Sequence, residues 1–211
     1  MKKSALTGLI ILFTICLYAQ EWTTPAYRIG EKYPGYVIKT DGTKIEGFLE
    51  AQTRGSIDGT GFSNQNRVVF FSDPKDRKTK ITYKPEDLKE YMIADKLYKT
   101  MSYSGGLMAK PLRFLLVKIS GQIGLYVWYD HNGYEANRTP IYTDKIIIQK
   151  GDEKPVEFSN FALSFAKKMS EMVSDYPELS KKVLDKEAGY GMASYEKVII
   201  EYNTWFKEKN K

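Results

Sequence analysis

Apolar and polar residues alternate through residues 36–50 (YVIKTDGTKIEGFLE), on both sides of Asp41-Gly42. Period-two alternation around such a dipeptide predicts a β-hairpin with a two-residue type I′ turn. Pairing Thr40 with Thr43 sets Ile38 opposite Ile45 and puts Tyr36 and Leu49 on the same buried face. Lys39, Lys44, Glu46 and Glu50 then face water. Gly42 supplies the positive φ that the bend requires.

The same reading continues along the chain. Residues 67–72 (RVVFFS) form a strand entered from the Gly/Ser/Asn-rich loop over 55–66. Residues 80–83 are extended, Pro85 opens a single helical turn through Leu88, and extended structure resumes near Tyr91. A Ser120-Gly121 bend joins 114–119 to 123–129, two strands apolar on both faces, which places this hairpin centrally beneath the helices. The stretch 141–159 adds one strand and a second across the Gly151-Asp152 turn. Short strands at this spacing predict a barrel-like module or a strongly bent antiparallel sheet, with the closed form preferred.

From residue 160 the period lengthens. Phe161, Phe165, Met169 and Met172 recur at helical spacing. Pro177 opens a second helix with Leu179, Val183 and Leu184 inward, and Gly189 and Gly191 mark its end. Ser194 caps a third, whose Tyr195, Val198, Ile199, Tyr202, Trp205 and Phe206 form a packing stripe. The expected fold is α+β: a β-rich module over 35–159 with three C-terminal helices docked on it over 160–211. No Pro/Gly/Ser-rich linker and no internal repeat divides them.

The N-terminus changes the picture of where this fold works. Lys2 and Lys3 precede an uncharged apolar run over 5–18, followed by Gln20 and Glu21, the pattern of a signal peptide over 1–19 cleaved after Ala19. A lead-in segment over 20–34 follows. The run is shorter than the ~18 or more apolar residues of a spanning helix, so no transmembrane span is expected after cleavage. A lipid anchor at Cys16 would have bulky Ile15 where such a site takes a small residue. Cys16 is the only cysteine, so the mature chain would hold itself together by core burial without disulfides. Lys2 and Lys3 leave with the leader, so 32 basic residues become 30 against 26 acidic, and the net charge falls from +6 to +4. The charges are interspersed, as in DPKDRKTKITYKPEDLKE, which argues against a nucleic-acid partner.

Candidate chemistry is sparse. His131, the only histidine, sits in Asp130-His131-Asn132-Gly133, read as a turn. With one histidine and no mature cysteine, zinc lacks ligands and Cys–His catalysis lacks a nucleophile. Ser-x-x-Lys occurs at Ser72, Ser164 and Ser194 without the motifs that complete a penicillin-binding pattern. No Walker loop, dinucleotide fingerprint or calcium loop is present, and no cofactor or metal is expected. Paired carboxylates, drawn from Glu46, Glu50, Glu86, Asp87, Asp130 and Glu135, leave glycan hydrolysis as an alternative. Aromatics make up 14% of the chain, with 16 tyrosines. Tyr103, Trp128 and Tyr134, beside Tyr126 and Tyr129, are the candidate ligand-binding patch, for a sugar ring or a protein partner.

The strings GYVIKTDGTKIEGFLE, YKPEDLKEYMIADKLY, RFLLVKISGQIGLYVWY and YPELSKKVLDKEAGY, the last followed by VIIEYNTWF, together resemble a group of uncharacterised exported proteins of Bacteroidota. The resemblance spans most of the mature chain. It implies a periplasmic, outer-membrane-associated or cell-surface location and brings no activity or catalytic residue. The expected function is therefore non-enzymatic contact with another envelope protein, for example as an accessory subunit of an outer-membrane assembly. Glycan hydrolysis and glycan binding without hydrolysis are the alternatives.

Overall fold

The computed structural model describes residue 28 and residues 30–52, 65–103, 111–134 and 140–211, with backbone alone for 131–134 and 140–142. The expected leader, most of the lead-in, most of the loop over 55–66, and Glu135 lie outside the described residues. The strands are β1 (Lys32–Lys39), β2 (Lys44–Glu50), β3 (Val68–Phe71), β4 (Lys80–Tyr83), β5 (Leu88–Ile93), β6 (Lys96–Ser102), β7 (Leu112–Ile119), β8 (Ile123–Tyr134), β9 (Pro140–Lys150) and β10 (Val156–Glu157). The helices α1 (Phe165–Met172), α2 (Pro177–Leu184) and α3 (Tyr195–Lys209) follow.

All ten strands form one antiparallel sheet in the order β10-β9-β8-β7-β6-β5-β1-β2-β3-β4. The fold is α+β, and the sheet is bent and not closed. Among the described residues β4 and β10 form no ladder with each other and remain edges, so the preferred closed barrel is corrected to an open sheet. Strand number alone did not distinguish the two forms, because closure depends on how tilt and stagger accumulate between strands.

The β1–β2 register also differs from expectation. Val37, not Ile38, pairs with Ile45, and Ile38 pairs with Lys44. The buried face carries Tyr33, Val37, Ile45 and Leu49, and Tyr36 lies on the other face, where its hydroxyl donates to Glu90 Oε1 at 3.2 Å. The cause is loop length. Lys39 N–H donates to Thr43 O at 2.9 Å and Gly42 N–H to Lys39 O at 2.9 Å, which leaves Thr40, Asp41 and Gly42 as a three-residue loop. One extra loop residue moves every β1 side chain to the opposite face.

Two further turns depart from expectation. Residues 85–87 are a turn and not a helical one, with Asp87 N–H donating to Lys84 O at 3.0 Å, and β5 starts at Leu88. Asp130-His131-Asn132-Gly133 is strand and not a hairpin turn. His131 pairs with Tyr142 and Tyr134 with Pro140, so Asn132 and Gly133 form a bulge opposite Ile141.

One face of the sheet carries two cores. The first buries Val37, Leu49, Phe70, Tyr91, Tyr98, Phe114, Leu116 and Val127, and among the described residues it draws on strands and their connections alone. The bend of the sheet over itself buries it. Tyr91 stacks on Tyr98 at 4.7 Å and meets Phe114 edge-on at 4.9 Å, favoured aromatic geometries. The second core joins Ile119, Ile123, Leu125 and Ile148 to the helices through Phe161, Phe165, Met169, Leu179, Val183 and Tyr202. The turn end of the β7–β8 hairpin, with Ile119, Ile123 and Leu125, therefore lies beneath the helices as expected, while Phe114, Leu116 and Val127 belong to the first core.

Side-chain amides replace missing strand partners along β8. The β7–β8 ladder stops at Leu116–Val127. Two residues on, Tyr129 N–H donates to Gln65 Oε1 at 2.9 Å and Tyr129 O accepts from Gln65 Nε2 at 3.0 Å. At the other end Asn203 on α3 does the same for Ile123, with both bonds at 2.8 Å. Each amide mimics a peptide group and satisfies backbone that burial would otherwise leave unpaired.

Leu184, expected inward, is half exposed. The second helix stops before the glycines, because Lys186 takes the left-handed conformation (φ 56°). Lys186 N–H donates to Val183 O at 3.2 Å and Glu187 N–H to Lys182 O at 3.0 Å, a Schellman motif with lysine where glycine is usual. Ser194 holds the N-cap position of α3 without a side-chain capping bond.

Candidate functional site

The structure brings Tyr103 and Trp128 together but does not present them. Tyr103 follows β6 and Trp128 lies on β8, with ring centroids 6.0 Å apart and exposures of only 7% and 8%. They belong to a cluster with Leu115, Val117, Tyr126 and Ile147 on the face opposite the two cores. Period two explains this: Leu125, Val127 and Tyr129 face the cores, so Tyr126 and Trp128 share the other side. Tyr134 closes β8 beyond its bulge, and its side chain lies outside the described ones.

Polar groups from four strands rim that cluster. The Arg113 guanidinium on β7 lies 4.4 Å from the Trp128 ring centroid, a cation–π contact, and its Nη1 donates to Asn66. Burial lowers the Arg113 pKa, opposed by the charge of Asp130. Lys145 on β9 pairs with Asp130 on β8 at 2.9 Å, and that hydrogen bond holds its pKa above the ordinary value. Glu157 on β10 accepts from the Tyr103 hydroxyl at 2.7 Å and from Ser159 Oγ at 2.9 Å. Burial first, then Glu157, pushes Tyr103 well above the ordinary tyrosine range. Each carboxylate here already has a cation or hydroxyl on it: Lys145–Asp130 links β9 to β8, and Tyr103–Glu157 links the end of β6 to β10.

The other candidate carboxylates are dispersed. Glu46 pairs with Lys44 at 2.9 Å on β2, and Asp87 accepts from Lys84 N–H at 2.8 Å within its turn. Among the described residues no three His, Cys, Asp or Glu side chains group to hold a metal, and no helix is long and apolar enough to cross a membrane.

The helical layer carries two recesses. The first is a groove of about 530 Å³ on the outer side of α3. Its floor is Tyr176 stacked on Trp205, with centroids 4.6 Å apart and planes 5° from parallel, together with Ile200. Glu196, Glu201 and Glu208 stand on its rim against a single Lys197. Glu201 accepts from Tyr190 at 3.0 Å and from Lys182 at 3.3 Å, and Glu196 accepts from Tyr195 at 3.0 Å. Burial first, then the charges of Glu178 and Glu201, raises the Tyr176 pKa, opposed by the charge of Lys182. The second recess, of about 470 Å³, lies where the turn before α1 meets the end of α2.

The α3 groove was missed in the sequence because Trp205 reads as part of the packing stripe. The stripe is wider than one helix can bury: Val198, Ile199 and Tyr202 are covered, while Trp205 and Phe206 are only partly so, as is Ile200 beside it. Glutamates at 201 and 208, flanking that surplus, were the available signal. Compared with models of protein families, with curated proteins and with solved structures, the chain matches none.

Proposed function

We propose that this protein is an exported, non-enzymatic component of the cell envelope that acts by contact with another envelope protein, in keeping with the group it resembles. The observation that carries the reading is the α3 groove. A tryptophan–tyrosine floor inside a charged rim has the anatomy of an interface hot spot. Of the rim glutamates, Glu201 is paired with Lys182, Glu196 lies 4.0 Å from Lys118, and Lys209 stands 4.7 Å over the Trp205 ring, so Glu208 is the rim group that favours a partner segment apolar on one side and basic on its flank. The leader-like N-terminus supports the location, at the periplasmic or surface side of an outer-membrane assembly. The glycan readings gain nothing from Tyr103 and Trp128, whose rings are packed.

A photo-crosslinker at Thr204 in the groove, with one at exposed Glu46 on β2 as control, tests this in the producing cell. The expected result is one dominant adduct from Thr204, mapped to a basic, apolar segment of an envelope protein and weakened by Glu208→Lys. Absence of that adduct, or the same adducts from Glu46, contradicts the reading.

A further inference from the structure

Among the described residues, five large apolar side chains are exposed, and three of them line the second recess. Leu163 is fully exposed in the 3-10 turn before α1, Leu184 is 53% exposed at the end of α2, and Met192 is 46% exposed before α3. They come from three separate segments, so their convergence is not the period of any one element. Apolar side chains left in water forgo the free energy of burial, and exposed apolar groups gathered in one place mark a contact surface.

The charged residues of its lining have one sign. Lys167 and Lys186 are the only charged residues of its lining. The neighbouring Asp185 is drawn away by its ion pair with Lys181, and Glu187 is not part of the lining. Lys186 is also the residue at φ 56°, a conformation unfavourable for a non-glycine residue. A glycine would cap α2 more cheaply, but it would remove a cation from the rim.

We propose that this face docks on an anionic lipid surface. Protruding leucines and a methionine enter the acyl boundary, while the lysine stems lie along the apolar surface and their ammonium groups meet headgroup phosphates. A protein interface fits less well, because lysine is depleted there and aromatics carry the binding. The inference is independent of the α3 groove, which lies on another part of the helical layer.

The test is co-sedimentation of the purified protein with vesicles of phosphatidylcholine, with and without phosphatidylglycerol. Any contribution of the apolar 5–18 run is common to all variants and cancels in their comparison. The wild type is expected to bind the anionic vesicles preferentially and to weaken as salt is raised. Lys167→Gln should weaken binding about fivefold, the equivalent of ~1 kcal/mol per basic residue at the surface. Leu163→Glu should weaken it tenfold or more, on the order of one leucine burial. Because Leu163 is outside the core, the thermal melt of Leu163→Glu should match the wild type and so exclude misfolding as the cause. Equal binding by all variants, or equal binding to neutral vesicles, overturns the proposal. So does a change in the protein's own oligomeric mass on Leu163→Glu without any effect on lipid binding.

Discussion

Gly42 has φ +93°, and a Cβ there would meet only Lys89 Nζ, at 3.9 Å. Substitution at this position is therefore penalised by backbone conformation and not by collision. Gly42→Val should cost about 1–2 kcal/mol or more, read as a lower denaturant midpoint, since a β-branched residue is poorly suited to that region. Asp41 is fully exposed, and its carboxylate accepts Thr43 N–H at 2.8 Å, the first cause of its lowered pKa. Asp41→Asn keeps that acceptor and should leave the midpoint nearly unchanged. A Gly42→Val protein as stable as the wild type would refute this account of the loop. The presence of the hairpin was legible in residues 36–50, but its register was not. Asp-Gly closes both two-residue and three-residue loops, and the alternating pattern accommodates Tyr36 and Ile38 as readily as Val37 on the buried face. Trp128 has a similar lesson: alternation assigns it a side of the sheet but does not tell whether that side is covered.

Sheet and helices are held in place by individual amides as well as by the apolar core. Asn203 bonds both backbone groups of buried Ile123, and a Cβ on Gly121 would lie 2.4 Å from the same amide. Asn203→Ala should strand both groups and cost on the order of 2–3 kcal/mol. Exchange of the Ile123 amide should be accelerated in the same variant. Unchanged protection at Ile123 would show that apolar packing alone docks α3. Element type was well signalled in this chain, through Pro177, the β7–β8 apolar runs and the helical spacing after residue 160. Element ends were less so. The α2 stop at Lys186 has no compositional mark, because its Schellman bonds come from backbone geometry that glycine would favour but does not monopolise. The side-chain bridges from Gln65 and Asn203 span 64 and 80 residues of sequence, a distance that no local pattern encodes.

At the scale of the whole molecule, an open bent sheet buries one core by its own curvature and a second under three helices. The sheet's other face holds the Tyr103–Trp128 cluster, clamped by Glu157 and the Lys145–Asp130 pair. The two recesses described above lie on the helical layer. One is aromatic with an acidic rim, and the other is aliphatic with a basic rim. The second was not legible in the sequence, since it is assembled from three segments whose juxtaposition depends on how the helices dock; the first lies on α3 itself apart from Tyr176, and what the sequence hid was that Trp205 is left partly uncovered. The central claim is that this chain works as one member of an assembly, held through the α3 groove. It is tested most directly by the native mass of the tagged protein extracted gently from envelopes, measured beside a Glu208→Lys variant whose thermal melt is intact. The account predicts a complex heavier than the single chain that falls to the single-chain mass in the variant. Recovery of the wild type as a lone monomer, or an assembly of the same mass in both proteins, would contradict it.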